Sequence, residues 1–243
     1  MDAKIVKKHN EIFTHYFPTT MAPLGWYFSS VVPALAIEMP PEKWTCMFKS
    51  LEEVSAGKAL CFSQQATGCS GASCYFGFTV PHEQAGSFLA KKEKFKEKSS
   101  YGNEFYKNIE AREPKGKYLI LSRIEDIEDS ISVEVVNYLV TPRSLSGLVT
   151  LSNFDSPENN NVTIPFASGC QSMWTIPYKE KVKKKPQATI GALDPAMRKY
   201  IKNDSLLFSV PTNRFIELSN SIKDSFANGD RWLNLLQKTT SIQ

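Results

Sequence analysis

Five cysteines carry most of the chemistry available to this chain, and three of them fall in one short stretch. Residues 61–77 read Cys-Phe-Ser-Gln-Gln-Ala-Thr-Gly-Cys-Ser-Gly-Ala-Ser-Cys-Tyr-Phe-Gly. Thiolates bind soft metals and attack electrophiles, and Cys69 and Cys74 stand on either side of small residues that let a ligand approach the backbone closely. A thiolate metal centre normally takes four ligands. The set available is Cys46, Cys69, Cys74 and Cys170, with Cys61 as a substitute, and the cofactor it implies is an iron–sulfur cluster or zinc. Spacing does not decide the matter: there is no Cys-x-x-Cys, and Cys69-x4-Cys74 matches one fragment of a plant-type ferredoxin pattern. Free cysteine is also among the most buried residue types, so packing is the competing account, above all for Cys61 and Cys46.

The same loop supports a second chemistry. A glycine-rich junction between a strand and a helix aims backbone N–H groups at one point, so Gly68, Ser70, Gly71 and Ala72 would cradle an anionic small molecule without catalysis. Thr67, Ser70 and Ser73 would add hydroxyls, and Arg198 or Arg214 a positive charge from the C-terminal half. The loop matches neither Gly-x-Gly-x-x-Gly nor a Walker sequence, so no nucleotide is specified. A third chemistry, nucleophilic attack by Cys69 at a helix start, needs a base. His82 is the histidine nearest in sequence, His9 and His15 lie near the N-terminus, and none forms a recognisable pair with it. Glu125, Asp126, Glu128 and Asp129 read as a solvated turn rather than an acid–base pair. Whether the protein is an enzyme stays open.

The elements that must position these residues follow from periodicity and punctuation. Residues 2–17 have helical spacing, with Asp2 as N-cap and Pro18 as terminator. Residues 24–37 are rich in aromatic and β-branched types, and Pro33 marks an edge or bulged strand. A short helix at Met47, Leu51 and Val54 closes at Gly57, a strand follows at 58–63, and the loop at 68–74 leads toward a helix from Pro81 into the lysine-rich run ending at Lys98. Gly102 is expected to break that helix and a second to run from Glu104 to Arg112. Strands at 117–123 and 132–140, a helix from Pro142 to Leu151, and a strand at 162–167 come next. Gly169-Cys170 opens another helix; a strand at 188–193, a short helix after Asp194-Pro195, a strand at 206–210 and helices at 213–226 and 231–236 complete the chain. The alternation predicts an α/β protein bordering on α+β, with a mixed β-sheet covered by helices. There is no fixed-period repeat, but Gly68-Cys69-Ser70 and Gly169-Cys170-Gln171 echo one another, as a distant duplication or a convenient strand-to-helix junction would.

A chain of 243 residues with 42% hydrophobic side chains can bury a large core, so one globular domain over 1–243 is expected, with any two lobes meeting near 113–117. The net charge of +4 comes from local lysine runs, which argues against a nucleic-acid surface. No stretch is apolar for long enough to span a membrane, and an odd, sparse set of cysteines fits a reducing, cytoplasmic setting. A small-molecule ligand is the expected partner. Homo-oligomerisation is a general possibility for which no interface is identified.

Several segments together resemble the prokaryotic family called domain of unknown function 169. They are Cys46, Gly68-Cys69-Ser70-Gly71-Ala72, Tyr101-Gly102-Asn103-Glu104-Phe105-Tyr106-Lys107, Tyr118-Leu119-Ile120-Leu121-Ser122-Arg123, Asp194-Pro195-Ala196-Met197-Arg198 and Ser209-Val210-Pro211. The resemblance covers nearly the whole chain. It implies one architectural unit and a bacterial or archaeal origin, and no activity, since the family has none established; its cysteines are matched most clearly by Cys46 and Cys69.

Overall fold

The computed structural model describes residues 1–40, 43–109 and 111–238. Eight strands are formed: β1 Leu24–Ser29, β2 Ala36–Glu38, β3 Ala59–Phe62, β4 Tyr118–Arg123, β5 Val133–Val140, β6 Val162–Thr163, β7 Ala188–Gly191 and β8 Leu206–Pro211. They make one sheet in the order β2-β3-β4-β1-β5-β8-β7-β6. Only the outermost pairs, β2–β3 and β6–β7, are parallel. The expected mixed sheet is therefore present. The single strand expected at 24–37 is two, central β1 and edge β2, because the chain turns through Pro33 between them. The strand expected at 162–167 stops after Thr163, ahead of Pro165, which has no N–H to give to a ladder.

The sheet is two copies of one four-stranded unit. Moving residues 24–29 onto 135–140, 36–37 onto 162–163, 59–62 onto 188–191 and 118–123 onto 206–211 carries each pairing among these residues in the first half onto one in the second; Glu38–Cys61 alone has no counterpart, since β6 ends at Thr163. Leu24–Arg123 becomes Val135–Pro211, Leu60–Leu121 becomes Thr189–Ser209, and Ala36–Ala59 becomes Val162–Ala188. The halves join antiparallel through β1 and β5, so a local two-fold axis passes close to the Gly25–Val136 pair. Residues 113–117 lead into β4, inside the first half.

Helices cover both faces. On one face lie α1 Ala3–Tyr16, α6 Pro142–Ser152, α9 Thr212–Ser221 and α10 Asp230–Gln237, over a core that includes Phe13, Phe17, Tyr138, Leu148, Phe215 and Trp232. The helix from Pro142 begins as the sequence predicts, with Thr141 as N-cap accepting from Ser144 N and proline in the first turn. On the other face lie α2 Leu51–Ser55, α3 Ser70–Tyr75, α7 Ile176–Glu180 and α8 Pro195–Arg198. Their core is aromatic: Trp26 packs on Phe62, Phe76 and Trp174 with ring centroids 5.5–5.8 Å apart. β5 serves both cores at once, its eight residues all buried, as a central strand in a three-layer arrangement must be.

Outside this second face stands a hairpin of α4 Ala85–Lys91 and α5 Ser99–Lys107. The sequence predicts one helix from Pro81 to Lys98, broken at Gly102. Instead the chain leaves α4 at Lys91, passes through a left-handed residue at Lys94 (φ 56°), and α5 runs straight through Gly102. Gly102 marks a close approach rather than a break. A Cβ there would lie 2.3 Å from the Gly86 carbonyl oxygen, so the two glycines let α4 and α5 cross backbone to backbone. The helix expected to reach Arg112 ends at Lys107, and Glu110 lies outside the described residues.

Candidate functional site

The site is assembled where the crossover helices of the two halves meet. In the second half, residues 169–180 are one helical run, π-helical over Gln171–Thr175 and α-helical over Ile176–Glu180. Its start is a capping box written in the sequence as Ser168-Gly-Cys-Gln171: Gln171 N donates to Ser168 Oγ (3.3 Å) and Ser168 N donates to Gln171 Oε1 (2.9 Å). The irregular turn has an identifiable cause. Pro177 has no N–H for the carbonyl four residues back, Met173 O, and that carbonyl instead accepts from Asn137 Nδ2 at 3.0 Å. Asn137 is 1% exposed, also donates to Ser209 Oγ, and accepts from Trp26 Nε1 at 2.6 Å. Trp26 and Asn137 occupy equivalent positions in the two halves. Gly191 lets the helix lie close on β7, where a Cβ would meet Ser172 Cβ at 2.2 Å.

Four ionisable groups gather at this junction. Cys46 precedes a 3-10 turn, Met47–Ser50, after β2, and Cys170 begins the helical run after β6. Cys69 is the N-cap of α3 after β3, its Sγ accepting from Ala72 N at 3.2 Å; Asp194 is the N-cap of α8 after β7, its Oδ1 accepting from Ala196 N at 2.8 Å. The duplication therefore pairs Cys46 with Cys170 and Cys69 with Asp194. The Gly-Cys echo is not a pair of equivalent positions, since Cys69 follows β3 and Cys170 follows β6. Burial raises the Cys170 thiol well above its ordinary value, and Cys69, Cys46 and Asp194 push it further. Burial likewise raises Cys46, with Cys69 and Asp194 adding to it, and raises Cys69 and Asp194 against the hydrogen bonds they accept. The resting state of this cluster is protonated thiols.

Cys74 is not among the groups that shift these four. Its thiol is raised to about 11 by burial alone. Among the described residues, no three His, Cys, Asp or Glu side chains stand in positions that could hold a metal ion. The expected anion cradle is also altered: Ala72 N is taken by Cys69 Sγ and Ser73 N by Cys69 O. Gly68 has φ +76°, and a Cβ on it would lie 2.9 Å from Thr45 O, so it is required by the turn itself. The Arg198 guanidinium is spent on the backbone carbonyls of Ser205 (2.6 Å) and Asn203 (2.7 Å). Arg214, buried on the opposite face, grips Asp155 with two bonds of 2.6 and 2.7 Å.

Cys69, Ser70, Gly71 and Asp194 do reach a cleft. It holds about 670 Å³ between the 68–75 turn and the α4–α5 hairpin. Its apolar surface comes from Trp44, Phe88, Phe95, Phe105 and Phe166, and Lys91 and Lys92 stand on its rim. Tyr75 and Tyr106, stacked with their planes 2° apart, form part of the wall. Burial and the neighbouring Tyr106 raise the Tyr75 hydroxyl far above the usual phenol range, so both phenols are neutral donors and acceptors. Sequence reasoning missed this wall because Tyr75, Tyr106 and Phe166 come from three separate elements.

Among the described residues no helix is long and apolar enough to cross a membrane. Comparison with curated proteins and with solved structures gives no match. One family model, described as an uncharacterised ArCR, matches residues 15–221, which take in the whole sheet and every residue of the junction. The chain therefore belongs to the DUF169 family.

Proposed function

We propose that the protein is a small-molecule binding module, and that its site is the cleft between the 68–75 turn and the α4–α5 hairpin. The observation that carries this reading is the cleft itself: about 670 Å³, apolar over most of its wall, with a few polar groups converging on it. Its aromatic side chains suit an occupant with an apolar body. Lys91 and Lys92 on the rim suit an anionic group on that body, held by side chains rather than by the backbone N–H groups that Cys69 occupies. Thermal-shift and calorimetric titration with nucleotides, flavins and organic acids test it. A true ligand at about a hundred times its Kd stabilises the fold by roughly 2.7 kcal/mol, a shift of several degrees. No shift with any of the three classes overturns the reading.

A second reading is favoured by the mutual influence of Cys46, Cys69, Cys170 and Asp194: a soft metal ion or an iron–sulfur cluster would replace the protons the three thiols now keep. The side chains would have to draw together, because no three now stand in ligand positions among the described residues. Metal and sulfide analysis of anaerobically purified protein decides it. Stoichiometric metal lost in Cys46→Ser supports the reading; colourless, metal-free protein with all five thiols free removes it.

A further inference from the structure

A second cleft, of about 540 Å³, adjoins the first, with Phe105, Phe166 and Ala167 lining both. Gln171 lines it and is only 6% exposed. Its Oε1 is fixed by Ser168 N, which settles the orientation of the amide, and among the described residues nothing accepts from its Nε2, which opens on the cleft. A side chain that is nine-tenths buried and locked at its oxygen thus presents two preorganised N–H donors to the cleft, where an occupant with acceptor oxygens can meet them. It also sits at the first residue of the π-helical turn, an irregularity that often accompanies a functional site.

The surroundings define the acceptor. Lys96 holds its ammonium 4.7 Å from the centroid of Phe166, and among the described residues no carboxylate pairs with it. The two acids of the cleft are already matched, Glu180 by Lys183 and Gln187 N, and Glu104 by Lys107. The free complement is thus two amide hydrogens, one positive charge and an apolar wall of Phe105, Phe166 and Ile176. A phosphate would ask for more donors, and N–H groups at the start of this helix are already taken: Ser168 accepts from Gln171 N through its hydroxyl and from Ser172 N through its carbonyl. We infer that this cleft binds a small carboxylate with an apolar body, its oxygens accepting from Gln171 Nε2 and facing Lys96.

Benzoate is the probe, with inorganic phosphate as comparator, and the readout is the side-chain amide NMR signal of Gln171, identified by its absence in Gln171→Glu. That variant keeps an oxygen for Ser168 N and the capping box intact, while removing both donors. The expected result is a saturating shift of the Gln171 amide with benzoate, at a Kd of about millimolar for so small a ligand. Gln171→Glu should melt like the parent protein yet bind benzoate about tenfold more weakly or not at all. Lys96→Met should weaken binding without touching the helix. Undiminished binding by Gln171→Glu, an unmoved Gln171 signal, or an equal response to phosphate overturns the inference. So does loss of benzoate binding in Phe88→Ala, which would put the probe in the first cleft; failure of every ligand in the first cleft leaves this result standing.

Discussion

Asn137 shows how much one side chain can hold. Its amide accepts from Trp26 Nε1 and donates to Met173 O and Ser209 Oγ, all out of water, so removing it strands an indole N–H and a carbonyl together. Asn137→Ala is expected to cost about 2–4 kcal/mol, and Trp26→Phe in the same background should cost much less than in the parent, because the partner is already gone. Denaturant unfolding of the four members of that cycle checks it. The cysteines of the junction could be picked out by residue type, and Cys46, Cys69 and Cys170 lie close enough to raise one another's thiols. Asp194 could not, because a carboxylate before proline reads simply as an N-cap, which it also is. Gln171 left a usable signal in Ser-x-x-Gln, but only packing reveals that its amide is held at the oxygen and opens on a cleft at the nitrogen.

At the level of elements, most strands and helices were readable because their apolar residues repeat at the period of the element that buries them. The α4–α5 hairpin was not. A glycine inside a helical pattern normally weakens it, by about 1 kcal/mol relative to alanine, and the sequence carries no mark to say that Gly86 is waiting across from Gly102. The two are needed together: Gly102→Ala would place a methyl 2.3 Å from Gly86 O, against backbone that cannot rotate aside. The overpacking cost of roughly 1–3 kcal/mol exceeds the gain in helix propensity, so the variant should melt lower than the parent. Because the hairpin is one wall of the first cleft, ligand binding there should weaken more than stability does. Calorimetry for the melt and titration for the ligand separate the two effects.

Across the whole molecule the buried thiols set an alkaline limit on stability. Cys61 and Cys74 keep their protons in the fold up to about pH 11, Cys61 through burial and then Glu38, Cys74 through burial alone. The unfolded chain releases the same protons near pH 8.5. Their contribution is therefore complete below that value and is lost as pH rises toward 11. Tyr27 and Tyr178, each raised to about 12, extend the loss above pH 10. Urea midpoints between pH 7.5 and 10.5 should fall, and fall less steeply in Cys61→Ala with Cys74→Ala. The duplication makes a further prediction. Asp194→Cys puts a thiol where the other half has one, at a cost of about 1 kcal/mol for the lost cap, and should raise zinc affinity at the junction. Unchanged zinc binding in Asp194→Cys would mean that the four positions cannot draw together.

None of this symmetry was visible in the sequence, where Leu-Gly-Trp-Tyr-Phe-Ser of β1 corresponds to Val-Val-Asn-Tyr-Leu-Val in β5; a strand needs only the right face to be apolar, so pairing outlasts identity. The arrangement is the one a homodimer of a half-length ancestor would have, its two sheets joined edge to edge. In such a dimer every residue near the axis appears twice and no position can change alone. Fusing the copies removes that restriction. The counterpart of Cys69 became or remained an acid, the counterpart of Phe62 is Gly191, and one crossover helix could carry a π-helical turn while the other is a 3-10 turn and a short α-helix. A junction that began with two identical sides is now free to present different ones, as any site that must grip an asymmetric small molecule requires.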